Sequence, residues 1–142
     1  MGKKQLKLGD STEKEIANFF RGLGYWAFII PKKIGGQPFD IIASKNNVSW
    51  FVDAKHLESD KASFPFTRIE PNQETSMNYA RTFSNITNEG FVIKWERDDS
   101  KLFFLSYEQF IKLKENGTKS VKINDLQDLE RTIKEYEYNY FK

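Results

Sequence analysis

The hydrophobic pattern at the start of the chain has the spacing of an amphipathic helix. Its apolar stripe consists of Ile16, Phe19, Phe20 and Leu23. The stripe stops at Gly24, and Thr12 and Glu15 have the spacing of a capping box. The pattern therefore predicts a first helix from about Thr12 to Leu23.

The pattern then changes to the short apolar or alternating runs of strands. Five such runs are Tyr25–Ile30, Phe39–Ser44, Val48–Ala54, Phe91–Glu96 and Leu102–Leu105. The first reads as a buried strand ended by Pro31, and the glycine-containing segment Lys32–Pro38 is expected to be a loop. A tight turn at Asn46-Asn47 should join the second and third runs. The last two should form another hairpin across Arg97–Ser100.

The rest of the chain predicts three more helices and one short strand. Ser59–Ile69 is expected to be a loop with an extended piece at Phe64–Phe66, and Pro71 should open a helix running to about Asn85. Ser106 and Gln109 predict the start of a helix ending near Lys114. The remaining elements are a strand at Val121–Ile123 and a last helix capped by Asp125, with Leu126, Leu129, Ile133 and Tyr136 inward. This order describes an α/β sandwich around a mixed sheet.

Composition narrows the class of protein. With 142 residues, 39% of them apolar, the chain suits one folded domain over residues 1–142. No apolar run is long enough to cross a bilayer, and nothing near Met1 resembles a signal peptide. The absence of cysteine excludes disulfides and thiolate metal sites. We expect a cytoplasmic protein with no membrane partner and no small-molecule cofactor.

The charge is unevenly distributed along the chain. The net charge is +2, but residues 1–68 hold eleven Lys/Arg against seven Asp/Glu, and residues 69–142 hold eleven against thirteen. Three lysines fall within residues 1–8, which are expected to form a mobile basic arm. From charge alone, ordinary surface scatter is the favoured explanation, although the distribution is also compatible with binding a polyanion.

The most informative chemistry lies on the two strands joined at Asn46-Asn47. Side chains alternate along a strand, so Asp53 and Lys55 share one face of theirs. If the two asparagines are the turn residues, Asp40 lies directly opposite Asp53. Two carboxylates that close repel each other unless one is protonated or a cation lies between them. A divalent ion with oxygen ligands, such as Mg²⁺, resolves the conflict.

Three further residues complete the predicted site or are set aside from it. Glu13 lies at the rim of the first helix's apolar stripe and is preferred to Glu15 as a third metal ligand. Lys55 can orient a water and contact a phosphate, and Gln73 in the next helix can support it. His56 points to the opposite face and is interpreted as a bystander. Taken singly, each of these residues has an ordinary structural explanation, such as a surface ion pair, a turn cap or a helix-dipole charge.

The ordered set of motifs resembles PD-(D/E)XK nucleases of the Holliday-junction resolvase type. Gly9-x-x-x-Glu13 is similar to a motif of archaeal resolvases and of the RecU family, and Asp40 and Asp53-x-Lys55 match the next two motifs. The segment Ser63–Phe66, followed by Gln73, resembles a RecU segment. The likeness covers about residues 9–105. It implies a restriction-endonuclease-like three-layer sandwich, a central mixed β-sheet flanked by helices.

The resemblance also implies a function. It implies a homodimer that uses Mg²⁺, or Mn²⁺ in its place, to make paired nicks in branched DNA. Glu13, Asp40, Asp53, Lys55 and Gln73 would be the catalytic residues, and Glu13, Asp40 and Asp53 the metal ligands. Two departures from the family pattern matter. Asp53 stands where these families usually have Glu, which shortens the reach to a metal, and the long insertion that forms the RecU stalk in the junction is missing.

Three alternatives remain open from sequence. The chain could be a compact nuclease acting on flaps, single strands or duplex, or a catalytically silent DNA-binding module of the same fold. It could also be a small interaction protein in which Asp53-x-Lys55 is accidental. For a dimer interface, the candidate aromatic residues are Phe103, Phe104, Tyr138, Tyr140 and Phe141, with one ring of Phe103-Phe104 expected to face outward.

Overall fold

The computed structural model describes residues 2–31, 39–83 and 87–140. The helices of these residues are α1 (Gly2–Gly22), α2 (Pro71–Phe83), α3 (Tyr107–Glu115) and α4 (Leu129–Tyr140). The strands are β1 (Trp26–Ile29), β2 (Ile41–Lys45), β3 (Val48–Leu57), β4 (Ser63–Pro65), β5 (Thr87–Trp95), β6 (Phe103–Ser106), β7 (Ser120–Lys122) and β8 (Gln127–Asp128). Single 3₁₀ turns occur at Phe66–Arg68 and Ile123–Asp125.

A mixed sheet forms the middle layer, in the strand order β1-β2-β3-β5-β6-β8. Only the central pair, β3 and β5, is parallel, and the other neighbours in this sheet are antiparallel. The connection between β3 and β5 contains α2, as a parallel crossover requires. The predicted α/β fold with a central mixed sheet is confirmed.

Two hydrophobic cores separate the layers. On one face of the sheet, α1 and α4 pack over Trp50 and Phe104. On the other face, α2 and α3 contribute Met77 and Phe110 to a second core. Alternate residues of β3 supply the two cores, which gives each face of this strand its own chemistry.

The hairpin that carries the candidate chemistry forms as predicted. Asn46 and Asn47 have φ values of 50° and 70°, the left-handed conformation that a two-residue type I′ turn requires. Asparagine tolerates this region better than most residues. The turn sets the register of the strands, in which Ile41 pairs with Val52.

The start of the first helix is corrected by the structure. Helix α1 begins at Gly2, so the predicted basic arm at residues 1–8 is helical from residue 2, and Thr12 lies in the helix interior rather than at its N-cap. A capping box at Thr12 and Glu15 is therefore wrong. The apolar stripe correctly predicted the later part of α1, but the polar residues before it gave no signal that the helix begins earlier.

Strand β1 is not a buried strand. Its residues alternate between buried and exposed, with Trp26 and Phe28 outward. Among the described strands, β1 lies at one end of the sheet order and pairs with β2 alone. Apolar composition alone did not distinguish this exposure from burial.

Two interpretations near the end of the chain also change. Phe103 and Phe104 are both buried, one in each core, so neither ring faces outward. Helix α4 is capped by Asp128, whose carboxylate accepts from the Arg131 N–H at 3.0 Å, rather than by Asp125. By contrast, Ser106 caps α3 as predicted, accepting from the Gln109 N–H at 3.0 Å.

The sequence pattern indicated two of the short strands, β4 and β7, and missed the third, β8. The extended piece predicted near Phe64 is β4, which pairs with β7. Strand β8 pairs with β6 and was not predicted at all. Runs of two or three residues are too short to show a period.

Some predictions fall outside the described residues. These are the loop Lys32–Pro38, the end of the second helix near Asn85, and Phe141. In the part of the chain that the structure describes, no helix is both long and apolar enough to cross a membrane.

Candidate active site

Asp40 and Asp53 are held together where β2 begins. The backbone N–H of Asp40 donates to the Val52 carbonyl and to Oδ1 of Asp53, both at 3.2 Å. In return, Oδ2 of Asp40 accepts from the Ala54 N–H at 2.8 Å. These bonds continue the hairpin register beyond Ile41, so the predicted opposition of the two aspartates is confirmed.

The site contains three buried carboxyl groups. Asp40, Asp53 and Glu13 are all buried, and Asp53 is only 2% exposed. Burial and, next, the charge of Asp40 raise the pKa of Asp53 to about 7. Oδ2 of Asp53 is buried and accepts no hydrogen bond from any residue that the structure describes. Oδ1 of this carboxylate is therefore fixed by a hydrogen bond, whereas Oδ2 is buried with no hydrogen-bond donor among the described residues.

Lys55 lies on the same face of β3 as Asp53 and is also buried. Its Nζ donates to the carbonyl of Arg68 and to Oε1 of Gln73, each at 2.9 Å. Burial lowers the pKa of Lys55, while the charges of Asp53 and Asp40 act in the opposite direction. The ammonium group is thus fixed in position by two neutral acceptors.

Gln73 has two hydrogen bonds through one oxygen. Besides accepting from Lys55, its Oε1 accepts from the Glu70 N–H at 3.0 Å, just before α2. This is the backward side-chain bond of a capping box, and it links the start of α2 to Lys55. The predicted support of Lys55 by Gln73 is present in the structure.

The two acids of the first helix have different surroundings. Glu15 forms an ion pair with Lys94 at 2.8 Å, and its side chain is 45% exposed. Glu13 is buried, and its charge contributes to raising the pKa of Asp53. The arrangement agrees with the preference for Glu13 at the site.

A three-acid ligand set is not assembled in this conformation. Among the side chains that the structure describes, no three from His, Cys, Asp or Glu are close enough to bind one ion together. Asp40 and Asp53 are adjacent, whereas Glu13 acts on Asp53 through its charge. The metal-ligand role of all three residues therefore stays a prediction.

Two other residues clarify the limits of the site. His56 lies in an ion-pair geometry with Glu96, its Nε2 3.2 Å from Oε1, on the sheet face opposite Lys55. Arg68 was not predicted, although its carbonyl binds Lys55 and its guanidinium donates to the His56 carbonyl. A backbone acceptor has no side-chain signature, so the sequence offered no means of finding it.

Comparisons with known proteins place the fold in a class. No protein-family model and no curated protein sequence matches the chain. Among solved structures, the fold is similar to that of Hjc of Archaeoglobus fulgidus, described as a Holliday junction resolvase from an archaeal hyperthermophile. It has a TM-score of 0.64 and 11% sequence identity, and the match covers 87% of this chain and 97% of that one. The likeness shows that the two proteins share a fold.

Proposed function

We propose that the protein is a Mg²⁺-dependent endonuclease that hydrolyses phosphodiester bonds in branched DNA. The observation that carries the proposal is the hydrogen-bonded pair Asp40 and Asp53. Oδ2 of Asp53 is buried and has no hydrogen-bond donor among the described residues. Lys55 lies beside it on the same sheet face. The fold shared with an archaeal resolvase also supports a nuclease function.

The residues fit a divalent cation. Asp53 holds a raised pKa because its charge is buried near Asp40, and a bound cation would remove that penalty. Mg²⁺ binds through one or two carboxylates and completes its shell with waters and phosphate oxygens. Asp40 and Asp53 would hold it, with Glu13 contributing charge or a further oxygen ligand. When bound, the ion would supply an activated water and neutralise charge on the phosphate.

The remaining residues would position the reacting groups. Lys55 would donate from Nζ to a phosphate oxygen or to the attacking water, close to where negative charge develops. Gln73 would keep the ammonium group in place, because its oxygen is itself fixed by the Glu70 N–H. Gln73 is therefore a positioning residue.

The substrate is proposed to be a four-way junction cut by paired nicks. The ordered motifs and the fold support this choice over the alternatives. A compact nuclease for flaps, single strands or duplex would use the same site. A silent DNA-binding module would not need Lys55 and two repelling acids kept together at the cost of burying them.

The test compares cleavage of labelled duplex, flap and four-way junction DNA by wild-type protein and by Asp53→Asn. Wild type should cleave with Mg²⁺ or Mn²⁺ and be inactive in EDTA, while Ca²⁺ should support binding with little cleavage. Asp53→Asn should abolish cleavage but bind DNA as well or better, because repulsion of phosphate is reduced. Undiminished cleavage in excess EDTA would exclude the proposed mechanism.

Asp99→Asn is the matched control. It removes the same charge from a side chain that is 89% exposed and lies beyond β5. Cleavage should stay at the wild-type rate in this variant. An equal loss of cleavage in Asp53→Asn and Asp99→Asn would show that Asp53 has no specific role in catalysis.

A further inference from the structure

Two exposed aromatic rings on β1 stack against each other. Trp26 is 61% exposed and Phe28 45%, and their rings are stacked with an interplanar angle of 2° and centroids 5.9 Å apart. Single exposed apolar residues are common on protein surfaces. Two parallel rings side by side on an edge strand are a more specific feature, which we name the β1 aromatic pair.

The β1 aromatic pair lies on the same sheet face as the candidate active site. In the strand register Phe28 is opposite Ile42, and Ile42 is opposite Phe51. Phe51 precedes Asp53 by two positions on β3, and residues two apart on a strand share a face. A row of side chains therefore runs from Asp53 through Phe51 to the sheet edge.

This part of the sheet face is only partly covered. Ile42, Ser44, Ser49 and Phe51 are half-buried, whereas Ala43, Val48 and Trp50 on the opposite face are buried under α1. Strands are about 4.8 Å apart and rise about 3.3 Å per residue, so Phe28 is roughly 12 Å from Asp53. That distance spans a few nucleotides of an extended strand.

The outer edge of β1 does not favour pairing with a strand of another protein. Ile30 donates its N–H to the Asp40 carbonyl at 2.9 Å, so alternation places the Ala27 carbonyl on the outer edge. Arg21 of α1 donates to that carbonyl at 2.8 Å. This contact occupies one of the edge acceptors and places the guanidinium at the outer edge of β1, at the residue between Trp26 and Phe28 in sequence.

We infer that the β1 aromatic pair stacks unpaired or unstacked bases of the DNA strand that is bound at Asp53. Aromatic side chains bind bases of any sequence through their faces, and basic residues nearby bind the phosphates. Arg21, held at the outer edge of β1, supplies a basic residue of this kind. The inference rests on the proposed nuclease function and specifies its substrate as DNA with open bases near the scissile phosphate.

Tryptophan fluorescence can measure this contact directly. Trp50 and Trp95 are buried, so Trp26 is the tryptophan that a water-soluble quencher such as acrylamide will reach. Oligo-dT, added in EDTA and then in Ca²⁺ to prevent cleavage, should quench Trp26 emission and protect it from acrylamide. Blunt duplex should do neither. An emission spectrum that is unchanged by any DNA would overturn the inference.

Binding assays with variants supply the second measurement. Trp26→Ala combined with Phe28→Ala should weaken binding of oligo-dT and of a flap by roughly tenfold or more, with little change for blunt duplex. Trp26→Phe keeps a ring and should retain most of the affinity. Tyr79→Ala, on α2 with a 62% exposed ring, is the matched control and should leave the affinity for each DNA unchanged.

The outcomes separate this inference from the proposed function. Loss of single-strand affinity with Mg²⁺-dependent cleavage retained at saturating DNA would support both. Equal losses on duplex and single strand would overturn the stacking role and leave the nuclease untouched. Quenching by oligo-dT in a protein without metal-dependent cleavage would support stacking and reject the nuclease. A dimer that dissociates in the double variant, with unchanged DNA affinity, would assign the rings to a second copy of the chain.

Discussion

At the scale of single residues, the two oxygens of Asp53 have different environments. Oδ1 accepts from the backbone of Asp40, while Oδ2 is buried without a donor among the described residues. A carboxylate that only closed a turn would satisfy both oxygens from the backbone or from water. The arrangement instead costs stability, which is typical of groups selected for binding or catalysis.

This cost predicts an unusual dependence of stability on pH in metal-free protein. The pKa of Asp53 rises from 3.8 to about 7 on folding, so the native state binds its proton more tightly than the unfolded state. Its contribution to stability is complete below pH 4 and is lost as pH rises through 7. Asp53→Asn should therefore exceed wild type in unfolding free energy at pH 8, by an amount on the order of a few kcal/mol.

Urea unfolding at pH 5 and pH 8, with EDTA present, measures the difference. The wild-type protein should lose more stability than Asp53→Asn between the two pH values. Adding Mg²⁺ at pH 8 should restore the wild type but not the variant. Parallel pH profiles would show that Asp53 carries no buried charge.

Lys55 gives a second prediction at this scale. Lys55→Ala should lose turnover while Mg²⁺ still stabilises the protein, because its proposed contacts are to water and phosphate rather than to the metal. Single-turnover cleavage and Mg²⁺-dependent thermal shifts measure the two effects separately. Lys112→Ala, which removes an exposed lysine paired with Glu108, is the control. Loss of the Mg²⁺ shift together with turnover would instead place Lys55 in the metal site.

At the scale of elements, the β2–β3 turn determines where Asp40 meets Asp53. Asn47 has a φ of 70°, which a β-branched residue adopts only with strain of about 1–2 kcal/mol. Asn47→Val should lower the unfolding free energy by about that amount. It should also reduce the cleavage rate by more than the loss of folded protein explains, because the register that brings Asp40 to Asp53 is disturbed. Asn47→Gly, which fits the same turn, should keep both. Urea unfolding and cleavage assays compare the two variants. Equal cleavage by Asn47→Val and Asn47→Gly would show that the turn does not determine the geometry of the active site.

The same hairpin explains what the sequence could predict. The two-residue turn and the alternating strands beside it were enough to predict the strand register, and the register predicts the contact between Asp40 and Asp53. Gln73 could be placed because Pro71 marks the start of α2. These predictions succeeded because each depends on residues close together in sequence.

Predictions failed where the answer depends on distant partners. Strand β8 exists because it pairs with β6, and its two residues have no periodic pattern of their own. Phe103 and Phe104 were expected to divide between core and surface, but a central layer with helices on both sides buries both faces of β6. The exposure of β1 likewise follows from its place at the end of the sheet order.

At the scale of the whole molecule, the proposed junction substrate sets a requirement for assembly. One active site cuts one strand at a time, whereas resolving a four-way junction needs two symmetric nicks before the DNA dissociates. A two-fold dimer places two sites in matching positions through one self-complementary surface. With Phe103 and Phe104 buried, Tyr138 and Tyr140 on α4 remain as exposed candidates from the original aromatic set.

We therefore predict a homodimer in solution that linearises a cruciform plasmid within one binding event. Light scattering gives the mass of the free and junction-bound protein, and gel analysis of the plasmid separates linear product from nicked circles. Replacing both Tyr138 and Tyr140 by serine should shift the dimer toward monomer if α4 forms the interface, and nicked circles should then accumulate. A wild-type monomer on junction DNA, with nicked circles as the lasting product, would reject paired nicking. The metal-dependent nuclease would survive that result, because each active site is built from residues of one chain.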